Sequence, residues 1–278
     1  QYKIKLFTLL SSSINKIFEI SNDKEFNAIA LEIFKYQYVN NSIFKAYVNV
    51  HRSKISEIKH YTEIPFLPIQ FFKSHDVICK PNNVIKTFLS SGTSLSKRSK
   101  HHLTDLNLYG SSFLNGFKKF YGDPKDWIIL ALLPSYQEQG DSSLIYMVDR
   151  LIKQSENKES GYLNIKSKEK ENKIEKLKTK KVLLIGVSFA LLELAEKKLP
   201  SLKKWTIMET GGMKGRRKEL VREELHHILK SQFDVDTIHS EYGMTELLSQ
   251  GYAIKNGLFS CPNWMKVLVR DLEDPFSL

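Results

Sequence analysis

Two short stretches hold residue types that could do chemistry. The first is Thr87-Phe88-Leu89-Ser90-Ser91-Gly92-Thr93-Ser94-Leu95-Ser96-Lys97-Arg98-Ser99-Lys100, a strand-like apolar run that breaks into hydroxyls around one glycine, with basic residues close behind. Such a turn suits a phosphate. Gly92 lets the backbone come close, successive N–H groups form an anion-binding nest, and Ser90, Ser91, Thr93, Ser94 and Lys97 add donors. A solvated Ser/Thr loop has the same composition. The second stretch, His239-Ser240-Glu241-Tyr242-Gly243-Met244-Thr245-Glu246, follows the strand-like Val235-Asp236-Thr237-Ile238. It gathers an aromatic ring to stack a base (Tyr242), a glycine to approach a phosphate (Gly243), a hydroxyl to donate to it (Thr245) and a carboxylate for Mg²⁺ (Glu246), an ion that takes one or two carboxylates plus substrate phosphate oxygens. Each has an ordinary alternative: Tyr242 as a core aromatic, Thr245 as a helix N-cap, Glu246 as a carboxylate at a helix N-terminus.

Between the two, Thr210-Gly211-Gly212 ends another apolar run. Paired glycines leave the backbone bare for a flat adenine, or simply make a tight turn. No Gly-x-x-x-x-Gly-Lys-[Ser/Thr] and no Gly-x-Gly-x-x-Gly occurs, which argues against a P-loop and removes the usual dinucleotide fingerprint.

These loops need elements to position them. Apolar runs predict strands at 84–89, 127–133, 182–186, 205–208, 235–238 and 266–271, with Glu209 to Gly212 stopping the fourth. Helical spacing predicts helices over 104–120, capped by Thr104 and Asp105; from Ser142-Ser143, with Leu144, Met147, Val148 and Leu151 on one face; after Ser188, with Ala190, Leu191, Leu194 and Ala195; and over 216–231. Strand, loop and helix alternate from 84 to 246. The expected fold is therefore α/β, mostly parallel sheets flanked by helices, with ligands at the strand C-terminal ends. Residues 1–60 read as helices that pack on the core, the first capped near Ser21-Asn22-Asp23-Lys24-Glu25 and the second over about 41–50. In Ile64 to Lys73 two prolines forbid a regular helix and the apolar density forbids exposure, so a buried extended crossing with a short helical turn is expected.

The chain has 278 residues, 41% hydrophobic and 26% charged, ample for a large core. Two cysteines, Cys79 and Cys261, fit no disulfide framework and no metal spacing, and suit a reducing cytoplasm. No apolar run approaches the roughly 18 residues of a membrane span. A net charge of +11 invites a nucleic-acid reading, but residues 153–181 alone supply +5, from ten Lys and five Glu. Mixed signs with few apolar residues predict a solvated, mobile insertion, and no helix-turn-helix, zinc or RNA-binding signature accompanies the charge, so no nucleic-acid partner is expected. Gln1-Tyr2-Lys3 carries neither an initiator Met nor a signal-peptide pattern, which reads as a trimmed piece.

The Ser/Thr/Gly loop and the aromatic-x-Gly-x-Thr-Glu motif together resemble the adenylate-forming ligases. Leu95 stands where that superfamily has a glycine. A closer resemblance runs through Phe66-Leu67-Pro68-Ile69, Ser90 to Ser94 with Ser99 to His102, Leu133-Pro134-Ser135-Tyr136, Ser142-Ser143-Leu144 with Met147-Val148, Leu184 to Ser188, Glu209 to Arg216 and Glu241 to Glu246, over roughly residues 60–275. These look like acyl-protein synthetases of the LuxE type, fatty-acid ligases related to phenylacetate–CoA ligases. The resemblance implies ATP- and Mg²⁺-dependent activation of a fatty acid or other acyl carboxylate to acyl-AMP. Transfer to a protein thiol follows, and the acyl group passes on to an acyl-accepting reductase or carrier. It implies ATP contacts from Ser90, Ser91, Gly92, Thr93, Ser94, Lys97, Gly211, Gly212, Tyr242, Gly243 and Thr245. Thr245, Glu246 and His102 would stand at the reacting groups, and Phe66, Tyr136, Met147 and Ser188 would wall the acyl channel. It further implies an adenylation core over 61–278 whose small C-terminal domain is absent or truncated, with the family's acyl-accepting cysteine outside this sequence. An aryl- or acyl-CoA ligase, and a non-catalytic nucleotide-binding module on the same fold, stay open as alternatives; Leu95 favours the latter.

Overall fold

A 3.6-residue apolar period near the N-terminus gives way to short apolar runs further on, and the computed structural model of the chain follows that change. It describes residues 16–51, 54–80, 83–91, 97–134, 140–165, 167, 169–197, 199–212, 220–271 and 273–274. Two units divide the chain, Gln1–Ser112 with Cys261–Leu278, and Phe113–Ser260.

In the first unit, helix α1 (Asp23–Asn40) opens at Asn22, whose Oδ1 accepts the Glu25 N–H at 3.0 Å, while Glu25 reaches back to the Ser21 N–H. Asn41 repeats the device for α2 (Ser42–His51), accepting the Phe44 N–H. Phe34 and Phe44 meet edge to face and, with Val48 and Ile58, form a small core that Ile64 and Leu67 complete. The proline-flanked crossing thus packs as expected and ends in the single turn α3 (Phe71–Ser74), but Phe66 stays 55% exposed. Strands β1 (Lys86–Leu89) and β2 (Lys100–Leu103) pair antiparallel as a separate two-stranded sheet. This corrects the placement of the first strand in the parallel sheet: only Phe88 of β1 is buried, so one covered face suffices. The expected strand at 266–271 does not form: among the described residues no strand pairs with it, and Val267 and Val269 face solvent. Lys266 there lies over the Phe26 and Tyr61 rings. Helix α4 (Leu106–Tyr121), begun by Asp105 accepting the Asn107 N–H, enters the second unit at Phe113.

The second unit is a seven-stranded sheet: β3 (Ile128–Leu132), β4 (Gly161–Tyr162), β5 (Val182–Val187), β6 (Trp205–Thr210), β7 (Ile238–Tyr242), β8 (Gly251–Ala253) and β9 (Phe259–Ser260), in the order β4-β3-β5-β6-β7-β8-β9. The first five are parallel, and β8 and β9 are antiparallel additions too short for any sequence period to reveal. Helices α5 (Ser143–Gln154), α6 (Glu169–Leu177), α7 (Ser188–Ala195) and α8 (Arg222–Phe233) connect β3 to β7. Every residue of β3 and β5 is buried, as a strand covered on both faces must be. Alternate residues Leu130, Val182, Leu184 and Ile207 share one core with Leu191 of α7 and Leu229 and Phe233 of α8. Their neighbours in sequence, Ile129, Leu183, Ile185 and Met208, are buried toward the opposite face.

The described residues of 153–181 do not stand apart from the sheet. Gly161–Tyr162 adds an edge strand to β3, and Leu163, Ile174 and Leu177 enter the main core. The Trp205 indole N–H donates to the Leu177 carbonyl at 3.1 Å. A few apolar residues at the right spacing seat a helix, while its lysines and glutamates cover the outer side with their aliphatic stems. Among the described residues no helix is long and apolar enough to cross a membrane.

Ile174 is fully buried. Ile174→Ala will therefore lower the unfolding free energy in urea by about 2–4 kcal/mol, the usual cost of such a core truncation. A change within about 0.5 kcal/mol, typical of surface positions, would restore the picture of a loose insertion.

Candidate functional site

The parallel register sets Ile207 opposite Ile238, Glu209 opposite Ser240 and Thr210 opposite Glu241. Strand β6 runs through Thr210, two residues beyond the apolar run, and β7 contains His239 to Tyr242, which the apolar pattern leaves outside a strand. The correction has a physical cause. Pairing continues as long as polar side chains at the strand ends can satisfy one another, whatever the apolar pattern says.

They do so on both faces. On the face of α7 and α8, Glu209 accepts from the Ser188 hydroxyl at 3.3 Å and lies 3.6 Å from Arg222 Nε and 3.7 Å from His226 Nε2. Burial works to raise its pKa, but hydrogen bonds from His226 and Ser240 and the charge of Arg222 outweigh it and hold the carboxyl below the ordinary range. On the opposite face, the Thr210 hydroxyl donates to Glu241 Oε2 at 2.5 Å. Desolvation pushes the Glu241 carboxyl up to about 7, with the Thr210 hydrogen bond opposing and the Glu209 charge adding. On that face the Tyr121 hydroxyl bonds His239 Nδ1 at 3.1 Å, and burial pushes His239 down to about 4, so it is neutral at physiological pH. Two carboxyls one residue apart in register are thus pushed in opposite directions, Glu209 down and Glu241 up.

Above this polar layer the chain turns into solvent. Gly211 sits at φ 56°, a left-handed turn that a side chain would strain, and Gly211 and Gly212 are exposed. Beside them on β7, Tyr242 is 44% exposed, with its ring edge-on to Phe259 at 6.0 Å. The Arg222 guanidinium covers the other partner, 4.9 Å from the Phe259 centroid. Gly243 and Met244 are exposed, and the Leu247 N–H closes a turn onto the Met244 carbonyl at 3.2 Å, with Thr245 and Glu246 as its central residues. No helix begins there, so neither Thr245 nor Glu246 is a helix cap. Bare backbone at Gly211–Gly212 and the exposed Tyr242 ring thus stand at the ends of adjacent parallel strands, and the turn that follows carries a hydroxyl and a carboxylate.

The other expected site residues are placed as follows. Ser90 follows β1: its N–H donates to the Ser99 carbonyl at 3.0 Å, its hydroxyl accepts the Ser99 N–H at 2.9 Å, and its carbonyl accepts from Arg98 Nε at 2.5 Å. Ser91 and Lys97 are exposed. Gly92, Thr93, Ser94 and Tyr136 lie outside the described residues. His102 on β2 has both ring nitrogens engaged, Nδ1 with Thr87 Oγ1 at 2.9 Å and Nε2 with Asp76 Oδ1 at 3.1 Å, so neither nitrogen is open to a substrate. Met147 and Ser188 are 2% exposed and present no open wall. Among the described residues no three His, Cys, Asp or Glu side chains gather around a metal position, so a cation here would depend on Glu246 and on oxygens brought by a ligand. Glu209, Glu241, Arg222 and Gln250 escape sequence reasoning. The one signal was a carboxylate at the end of each apolar run, in Ile-Met-Glu-Thr and in Ile-His-Ser-Glu-Tyr.

The chain shares its fold with 2-hydroxyisobutyryl-CoA ligase, solved in complex with 2-HIB-AMP and CoA. The TM-score is 0.60 at 11% sequence identity, covering 87% of this chain and 58% of that one. ATP-bound MatB from Rhodopseudomonas palustris gives a TM-score of 0.44 at 16% identity, over 66% of this chain and 34% of its own. The chain therefore spans between about a third and three fifths of the length of these neighbours. No protein-family model and no curated protein matches it. The likeness is one of fold: a mixed α/β unit with a mostly parallel seven-stranded sheet flanked by helices.

The raised Glu241 carboxyl has a stability signature. Its folded value of about 7 lies above the ordinary value of 4.5, so its contribution is present in full below about pH 4.5 and is lost as pH rises toward 7. Urea unfolding of Glu241→Gln beside the parent will show the variant gaining relative stability between pH 5 and pH 8. A difference that stays flat over that window would mean the carboxyl is not held neutral.

Proposed function

We propose that this chain is the nucleotide-binding core of an ATP-dependent acyl-activating ligase. The observation that carries the reading is the pairing of a left-handed glycine turn, Gly211–Gly212, with the exposed Tyr242 at the ends of adjacent parallel strands, on a fold shared with a solved acyl-CoA ligase. Adenine lies between the Gly211–Gly212 backbone and the Tyr242 ring. Thr245 donates to the phosphates, and Glu246 supplies the protein oxygen for Mg²⁺, which when bound offsets phosphate charge. The acyl carboxylate attacks the α-phosphorus, the bond to the bridging oxygen breaks and pyrophosphate leaves. A thiolate then attacks the acyl carbonyl and AMP leaves. Positioning and charge neutralisation do most of this work, since no side chain need form a bond.

The finer reading, drawn from the sequence resemblance, is an acyl-protein synthetase acting on a fatty acid in the cytoplasm, with a reductase or carrier as final acceptor. The two cysteines of the sequence are free thiols, which suits a reducing compartment. Burial pushes the Cys79 thiol up to about 11 and raises Cys261 as well, so neither is a ready thiolate at neutral pH. The acceptor thiol is therefore assigned outside these two residues, to another protein segment or to CoA, and labelled-acyl transfer to each separates the two.

Calorimetric titration will find ATP binding that strengthens with Mg²⁺, and absence of binding at millimolar ATP would sink the ligase reading. Glu246→Gln will slow ATP–pyrophosphate exchange with a long-chain acid by about 10²–10³-fold, the range for losing one transition-state electrostatic contact. Its melting temperature will stay near the parent's, because Glu246 is only partly buried and sits in a turn outside any helix or strand. Full exchange by the variant would remove Glu246 from the metal site.

A further inference from the structure

We propose that Glu241 is a positioning residue that spans the two exposed turns, tying the Gly211–Gly212 turn to the Gly243–Met244 turn and so setting the width of the slot between them. The inference rests on the ligase reading for the identity of the nucleotide, while the contacts themselves stand apart from it.

The two oxygens of one carboxyl face the two turns. Oε2 accepts from Thr210, the last residue of β6 and the residue before Gly211. Oε1 lies beneath Gly243, where a Cβ would stand only 2.6 Å from it. A side chain at Gly243 would have to displace the Glu241 carboxyl, a constraint separate from any ligand's approach. Gln250 packs against the same glycine, its Cγ 3.7 Å from that position, and its buried Oε1 has no hydrogen-bond partner among the described residues. Glu241 itself is only 7% exposed, so the bridge is largely shielded from solvent. Tyr121 and His239 share its face of the sheet, while Glu209, Arg222 and His226 belong to the other. A strand-end register can slip or splay where polar residues replace apolar ones. A carboxyl held by a hydroxyl of the neighbouring strand and wedged under its own loop resists both.

The test is ATP affinity by calorimetry on the full chain, with melting temperature recorded for each variant. Glu241→Gln keeps the shape and the acceptor, and will bind ATP within about threefold of the parent. Thr210→Val removes the donor at nearly constant volume, and Glu241→Ala removes the bridge. Both will weaken ATP roughly tenfold, the scale of losing one buried hydrogen bond. Gly243→Ala will weaken it similarly, by pushing the carboxyl aside. The double variant Glu241→Ala with Gly243→Ala will bind no worse than Gly243→Ala alone, because the lost carboxyl leaves room for the new methyl. Parent-like affinity in both Glu241→Ala and Thr210→Val, or strictly additive losses in the double variant, overturns the inference while the ligase reading stands. A parent chain that binds no ATP overturns the ligase reading and the positioning role together. Should Glu241→Ala not fold, Thr210→Val and Gly243→Ala decide the matter.

Discussion

Thr210 stands opposite Glu241 across the parallel pair β6–β7, and the rest of the candidate site follows from that register. One step further along both strands come Gly211 and Tyr242, so bare backbone and an exposed ring are neighbours because the strands are paired there. A slip of one residue would send Glu241 to the face of α8, strand Glu209 without Ser240, and part the glycine turn from the tyrosine. The hydrogen bond between Thr210 and Glu241 and the close fit of the carboxyl under Gly243 hold the register at the point where apolar packing ends.

The polar layer just below the turns also divides charge. Glu209, surrounded by Ser188, Arg222 and His226, stays ionised; Glu241, buried against a hydroxyl, retains its proton toward neutrality. Environments that separate two nearby carboxyls in this way belong to functional sites more than to ordinary cores, where buried charge is costly and rare. Arg222 links this layer to the surface: it faces Glu209 on one side and the Phe259 ring that Tyr242 touches on the other. A cation is thereby kept near the exposed tyrosine, and an anionic ligand arriving there meets it.

The first unit has a logic of its own. Its helices are started by asparagines, and its hairpin β1–β2 is braced by Thr87, His102 and Asp76 in a hydrogen-bonded row, with Lys100 on the same Asp76 oxygen. These partners hold the Asp76 carboxyl below its ordinary range. The row makes His102 a brace across a short antiparallel sheet that has few apolar side chains to hold it, while its neighbour His101 meets the Phe72 ring edge to face.

The sequence by itself determined the α/β class, the central strands and the helices α4, α5 and α7, because apolar periodicity and local caps are properties of neighbours along the chain. It also marked Gly211–Gly212 and Tyr242 to Glu246 as turns with the right groups for a nucleotide. Tertiary structure decided the rest. Residues 153–181 became part of the core because Leu163, Ile174 and Leu177 found apolar surface that their charged flanks concealed. The run at 266–271 stayed irregular, with Val267 and Val269 in solvent, and His102 bonds Thr87 and Asp76 at the hairpin. Glu209 and Glu241 became the centre of the site only through pairing between strands some thirty residues apart, since a carboxylate's role depends on what surrounds it in space, and no local pattern states that.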